Sequence, residues 1–342
     1  MEPLEVLLAW PVTDREREVI AESWPDGVTT VELATLTPEQ LEVRLPRLGA
    51  AVGLMRSMPE ELLLRAERLR LMHVLGHGVD GLTTPAVTEA FAQRGTVVAR
   101  ANPSSSTIAE LIVMYLIAMS RRLMVVHKSL TDRGDWSHDL KRDRPTGSLG
   151  GELLGATVGL VGFGSIAQET ARRLAPFGSE IITLTRRPER IDTEAHGVAQ
   201  AYGYEQFDDF LSRCDHLVLA VPLTEKTRGL IDAAAFDRLR DGAFLVNISR
   251  GPLVVEDALW QALRSGKLAG AAIDVWDCEE EGIKNGYPAA RPLHQYNVIM
   301  TPHYAGMTAE TRARALRTIG ENLRRLLAGE PLANVVDLDS GF

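Results

Sequence analysis

Cysteine is nearly absent from this chain. Its 342 residues include two, Cys214 and Cys278, too few for a disulfide framework and without the paired Cys or Cys/His spacing of a zinc site. A reducing compartment and no bound metal are expected. Positive charge is also scarce: 37 Lys and Arg against 46 Asp and Glu leave a net charge of −9. No sustained Lys/Arg run is present to neutralise a phosphate backbone or an anionic membrane, which argues against nucleic acid as a partner. Long apolar runs are lacking too. The longest, Ile108 to Met119, is broken by Glu110 and falls short of the roughly 20 residues that span a bilayer; it reads as a buried helix. The opening residues MEPLEVLLAW set acidic side chains before a short apolar run, where a secretory signal carries basic ones. A cytoplasmic protein without membrane association is expected.

What the chain has in quantity is apolar residues, 45% of a length that exceeds the usual single domain, enough for two cores. Short apolar runs, LEVLLAW, AAVGLM, LMHVLG and TVVARA, read as strands, with PEELLLRAERLR and PAVTEAFAQRG as helices between them. A second set of strands follows: TVGLVG, EIITLT, HLVLAV, AFLVNI, LAGAAID and NVIMTP. Such continuous runs suit parallel sheets covered on both faces. A helix from about Ser106 joins the two sets, and another, Thr308 to Leu327, follows the last strand. If the latter returns to the first set, the first domain comprises residues 1–102 and 306–342, and the second, 103–305, is inserted into it.

The strand ending at Val161 runs into Gly162-Phe163-Gly164-Ser165-Ile166-Ala167 and then a helical segment. This is a G-x-G-x-x-A loop in strand–turn–helix context. The first glycine permits the tight turn, Gly164 lets backbone approach a pyrophosphate, and Ala167 allows close helix–strand packing. The helix N-terminus then offers unpaired N–H groups to the phosphates. The next strand, IITLT, ends where an NAD-binding chain usually carries an acidic residue for the ribose hydroxyls. Here Thr185 is followed by Arg186 and Arg187, a neutral hydroxyl and two guanidiniums suited to a 2′-phosphate. NADP is the expected cofactor, with NAD as the alternative.

Three later strands end in polar segments: VNISRGPL with Arg250, AAIDVWDCEEE with Asp274 and Glu279, and TPHYAGMT with His303. Taken singly, Arg250 reads as a surface cap, Glu279 as part of a solvated acidic run, and His303 as a turn residue. Together, in this order behind the dinucleotide loop, they resemble the signature of D-isomer-specific 2-hydroxyacid dehydrogenases of the glyoxylate/hydroxypyruvate reductase type. The resemblance extends to GHGVDG at 76–81, TIAE at 107–110, Gly134-Asp135-Trp136, PLTEKTRGLI at 222–231, NISRG at 247–251, DVW at 274–276 and TPHYAG at 301–306.

That resemblance implies a fold of two doubly wound parallel-sheet domains, a Rossmann-type dinucleotide domain inserted into a flavodoxin-like substrate domain. It implies reduction of a small 2-oxo acid to a D-2-hydroxy acid, with a homodimer formed through the helix near 106–125. Arg250 would bind the substrate carboxylate and polarise the 2-oxo oxygen. His303 would be the general acid, kept protonated by Glu279, with Glu280 and Glu281 as alternates. The N–H groups of His77 and Gly78 would complete the carboxylate site. Beside Gly162 to Ile166 and Thr185 to Arg187, the implied cofactor positions are Thr107, Val221, Pro222, Thr227, Ile248, Ser249 and Asp274, the last toward the nicotinamide carboxamide. This chain departs from the pattern in three respects. Ala220 replaces a frequent His, Glu280 an expected Pro, and the segment from there to His303 is longer than usual. Phosphite oxidation, and dinucleotide sensing by a binding protein of the same fold, are the competing readings; formate oxidation calls for Gln at Glu279.

Overall fold

The computed structural model describes residues 3–53, 58–76, 84–101, 103–134, 150–279 and 286–337. Internal packing divides the chain into two compact units, Met1–Ser104 with Gly306–Phe342, and Ser105–Ala305.

The first unit is built on five parallel strands, β1 (Leu4–Leu8), β2 (Val28–Glu32), β3 (Leu48–Gly53), β4 (Leu71–Val74) and β5 (Val97–Arg100), in the order β2-β1-β3-β4-β5. Side chains alternate between the two faces of a strand, and both faces here are covered. Leu7, Ala51, Met72 and Val98 enter one core with Leu62 and Phe91 from the helices Glu60–Arg65 and Pro85–Arg94. Val6, Leu8, Ala50, Leu71 and Ala99 enter the other with Leu316, Ile319 and Leu323 of the helix Ala309–Ala328. That double burial is why the strands read as unbroken apolar runs. The exception is β2, which the run pattern misses. It is an edge strand, VTTVE, with only Val31 buried.

Beyond the last helix the chain returns to the β5 edge, where Arg100 N–H donates to Asn334 O (3.0 Å) and Val336 N–H to Val98 O (2.8 Å). Asn322 fixes this return: its side chain accepts from Ala333 N–H (2.8 Å), donates to Ala333 O (2.9 Å), and places the same Nδ2 3.0 Å from His73 Nε2. An amide nitrogen only donates, so His73 Nε2 must accept, and the ring is neutral with its proton on Nδ1. Burial pushes the His73 pKa down from 6.5 to about 4. The ring is neutral in both folded and unfolded chains above about pH 6.5 and contributes no pH dependence there. Below that the unfolded chain binds a proton that the folded one refuses, and stability falls until about pH 4. By about pH 5 the loss is about 2 kcal/mol. Urea midpoints at about pH 7.5 and pH 5 are expected to differ less in His73→Gln than in the wild type; an equal difference assigns the slope elsewhere.

The second unit carries seven parallel strands, β6 (Thr157–Val161), β7 (Glu180–Leu184), β8 (Gln200–Tyr202), β9 (His216–Leu219), β10 (Ala243–Asn247), β11 (Leu268–Ile273) and β12 (Val298–Met300). Their order is β12-β11-β10-β9-β6-β7-β8, so the winding reverses between β6 and β9. Crevices at such reversals, outside the carboxyl ends of the strands, are where open α/β sheets bind ligands. The short edge strand β8 was, like β2, absent from the apolar-run pattern. The helix Ser105–Ser120 buries Ile112, Tyr115, Leu116 and Met119 in the same core as Val158, Leu160 and Val246, as the broken apolar run predicts. No helix among the described residues is long and apolar enough to cross a membrane.

Candidate active site

The glycine loop stands at the β6/β9 reversal. Gly162 has φ +89, and a Cβ there would lie 2.6 Å from Ala220 O, so the turn requires glycine on both conformational and steric grounds. Gly164 differs. Its backbone is ordinary, a Cβ would meet nothing within 4 Å, and it caps the helix Ser165–Leu174 without a side-chain bond. Open space before an uncapped helix N-terminus is what a pyrophosphate needs. The residues present therefore fit a dinucleotide. Ala167 is buried, while Phe163 and Ile166 turn their side chains into the core, which leaves backbone as their means of contact. Ser165 accepts a hydrogen bond from Ser105 Oγ (2.9 Å).

Thr185, just past β7, is half-buried and anchored by its N–H to Tyr202 O (2.9 Å). Arg186 and Arg187 are exposed, and neither forms an ion pair among the described residues. Across the reversal, Val221 O accepts from Ser249 Oγ, which joins two of the expected cofactor-wall positions; Ile248 beside them is buried. The Thr227 hydroxyl donates to Pro222 O (2.8 Å) and accepts from Thr224 N–H (2.8 Å), so it is used in shaping its own turn. Thr107 lies half-buried in the first turn of the helix Ser105–Ser120.

Arg250, Asp274 and His303 lie in the turns after β10, β11 and β12, three neighbouring strands. Asn247, at the end of β10 and 1% exposed, donates from Nδ2 to Arg250 O (2.9 Å) and accepts Ser249 N–H (3.1 Å). It thereby shapes the turn that carries Arg250, whose Nη1 donates to Ser249 O (2.7 Å). Gly251 abuts the Trp276–Asp277 peptide, where a Cβ would come within 2.3 Å of the Trp276 carbonyl carbon; any side chain would push the two turns apart. Asp274 links the three turns. Its N–H donates to Asn247 O (3.0 Å), and its own carbonyl accepts His303 N–H (2.7 Å). Its carboxylate, with no exposed surface, accepts Thr301 Oγ1 (2.6 Å), Tyr304 N–H (3.0 Å) and Ala305 N–H (3.0 Å).

The His303 side chain is exposed, on a left-handed backbone with φ 54. Glu279 ends the short turn Asp277–Glu279, while its side chain, together with Glu280, Glu281, His77, Gly78, Asp135 and Trp136, lies outside the described residues. Sequence reasoning missed Asn247, Thr301 and Tyr115. The signal available for them was a buried polar residue at a strand end or within an apolar helix, which must find a partner.

The family model for "D-isomer specific 2-hydroxyacid dehydrogenase, NAD binding domain" matches residues 113–305. The chain is 34% identical to D-3-phosphoglycerate dehydrogenase of Methanocaldococcus jannaschii, over 98% of this chain and 60% of that protein. It is 32% identical to glyoxylate reductase of Thermofilum pendens, over 79% and 75%. The chain thus spans 55–60% of the length of the first phosphoglycerate dehydrogenases it matches. Among solved structures, the NADPH-dependent glyoxylate/hydroxypyruvate reductase from Sinorhizobium meliloti, in complex with NADP and sulfate, is similar with TM-score 0.78 and 27% identity, over the whole of both chains.

Proposed function

The chain belongs to the D-isomer-specific 2-hydroxyacid dehydrogenases, and from that membership we propose that it reduces a small 2-oxo acid to a D-2-hydroxy acid with NADPH. The observation that carries the proposal is the junction on Asp274, which ties the turns of Arg250 and His303 at the C-terminal ends of the two strands flanking its own, in the same unit as the glycine loop. Gly162 to Ile166, Thr185 to Arg187, Val221, Pro222, Ile248 and Ser249 would hold the cofactor, with Thr107 and Thr227 at its margin. When bound, it supplies the hydride. Arg250 binds the substrate carboxylate bidentately and draws electron density toward the 2-oxo oxygen. His303 gives its proton to that oxygen and takes it back in the reverse direction. Glu279 favours the imidazolium, and His77 and Gly78 offer main-chain N–H groups to the carboxylate.

We assign a homodimer as the assembly, through the apolar face on the helices Ser105–Ser120 and Leu123–Arg133. There Met114, Leu123, Met124 and Leu130 are exposed by 41–50%, large apolar side chains that a partner copy would cover. The thiols of Cys214 and Cys278 suit the reducing cytoplasm, where we place the protein.

The names of the relatives favour two substrate classes, an unsubstituted 2-oxo acid such as glyoxylate or hydroxypyruvate, and a 3-phosphorylated one. The test is NADPH and NADH oxidation with glyoxylate, hydroxypyruvate, 3-phosphohydroxypyruvate and longer 2-oxo acids. A kcat/KM for glyoxylate or hydroxypyruvate above that for the phosphorylated acid supports the proposal. The reverse order moves the assignment to 3-phosphoglycerate oxidation, and no turnover with any 2-oxo acid removes the reductase reading in favour of phosphite oxidation or a sensing role.

A further inference from the structure

His303 is held in a conformation that an L-residue seldom adopts, and its holder reaches far from the site. Three consecutive N–H groups, those of His303, Tyr304 and Ala305, converge on Asp274, the first on its carbonyl and the other two on its carboxylate. The carboxylate's third donor is Thr301 Oγ1 at 2.6 Å. A hydroxyl has one proton to give, and Thr301 commits it to Asp274. The 2.7 Å contact between Thr301 Oγ1 and Tyr115 OH therefore runs the other way, with the phenol donating. A directed chain results: Tyr115 O–H to Thr301 O–H to the Asp274 carboxylate. Tyr115 sits fully buried in the helix Ser105–Ser120, and burial pushes its pKa well above the usual phenol value, so its proton stays in place. Trp276 Nε1 donates to Thr301 O (2.9 Å) and holds Thr301 from the backbone side.

We propose that Tyr115 and Thr301 are positioning residues for the His303 proton donor, acting through the Asp274 carboxylate to hold the His303–Ala305 turn in its left-handed form. Without the Thr301 hydroxyl, one lone pair of the buried carboxylate loses its donor and Asp274 is free to turn away from the Tyr304 and Ala305 amides. The imidazole then samples positions other than the reactive one, and small misplacements of a reacting group cost rate steeply.

The proposal rests on the reading of His303 as the acid, so its test has two arms. Thr301→Val, Thr301→Ser and Tyr115→Phe are compared with wild type for kcat, for the dissociation constant of NADPH by fluorescence titration, and for hydrogen exchange of the Tyr304 and Ala305 amides. Thr301→Val is expected to lower kcat about ten- to hundredfold, to leave NADPH binding within about twofold, and to speed exchange at both amides. Thr301→Ser is expected to restore all three, and Tyr115→Phe to shift kcat and exchange in the same direction by less. Unchanged exchange in both Thr301→Val and Tyr115→Phe, faster exchange with unchanged kcat, or a Thr301→Ser variant as impaired as Thr301→Val each overturns the proposal. Should His303→Ala remain active, the functional reading fails by itself, while the exchange arm still decides whether the chain of hydroxyls holds the turn.

Discussion

Replacing His303 by alanine is expected to lower kcat for 2-oxo acid reduction by about two to four orders of magnitude, the usual contribution of a positioned general acid. The imidazole is an exposed side chain at the end of β12, on a turn whose backbone is tied down at three successive amides, so truncation removes a proton donor without freeing the loop. Histidine already bears the left-handed strain at φ 54, and alanine adds only its weaker preference for that region, small against the kinetic effect. Asparagine adopts the left-handed region more readily, and His303→Asn is therefore the cleaner partner. Both variants are expected to lose kcat alike, with His303→Asn melting closer to wild type and both binding NADPH within about twofold, since the glycine loop and Thr185 are untouched. A kcat within about threefold of wild type would assign the proton to another group and remove His303 from the mechanism.

How much of this was readable beforehand depended on how each element earns its stability. Strands buried on both faces announce themselves, since β6, β9 and β11 are near-continuous apolar runs too short for a buried helix. The edge strands β2 and β8 do not, because half of what they present faces solvent and their pairing is decided by neighbours distant in sequence. The glycine loop was legible because its chemistry is local. Gly162 is needed by a turn and Gly164 would be needed by the close approach of a pyrophosphate, and both needs write themselves into one short segment. Arg250 and His303 were legible only as a set, through the motifs around them.

The supporting residues were not legible. Asn247, Thr301 and Tyr115 act through partners 3, 27 and 186 positions away, and no spacing rule connects Tyr115 in an apolar helix to a threonine after β12. Asp274 stood out in the sequence, but as a cofactor contact. Its burial and its three donors give it a part in the shape of the site as well.

The second large effect concerns which dinucleotide is taken. Changing Arg186 and Arg187 together to alanine is expected to raise the KM for NADPH about 10- to 100-fold while leaving that for NADH within a few-fold. The range follows from losing one or two charge-assisted hydrogen bonds at about 1.5–3 kcal/mol each, discounted because both guanidiniums are exposed and screened by salt. The same screening gives an independent sign: with wild type, raising ionic strength is expected to weaken NADPH more than NADH, and the double variant is expected to lose that difference. Thr185→Asp tests the opposite polarity. The Thr185 main chain is pinned to Tyr202 O, so a carboxylate introduced there stays beside the ribose, where it repels a 2′-phosphate but accepts from the free hydroxyls of NADH. Preference is then expected to move toward NADH even with both arginines in place. If instead wild type already takes NADH as well as NADPH, and the double variant changes neither KM, the two arginines solvate a surface loop and the neutral Thr185 discriminates by itself too weakly to matter. Cofactor choice would then have to be read from the reaction's direction in the cell, since the loop after β7 would no longer decide it.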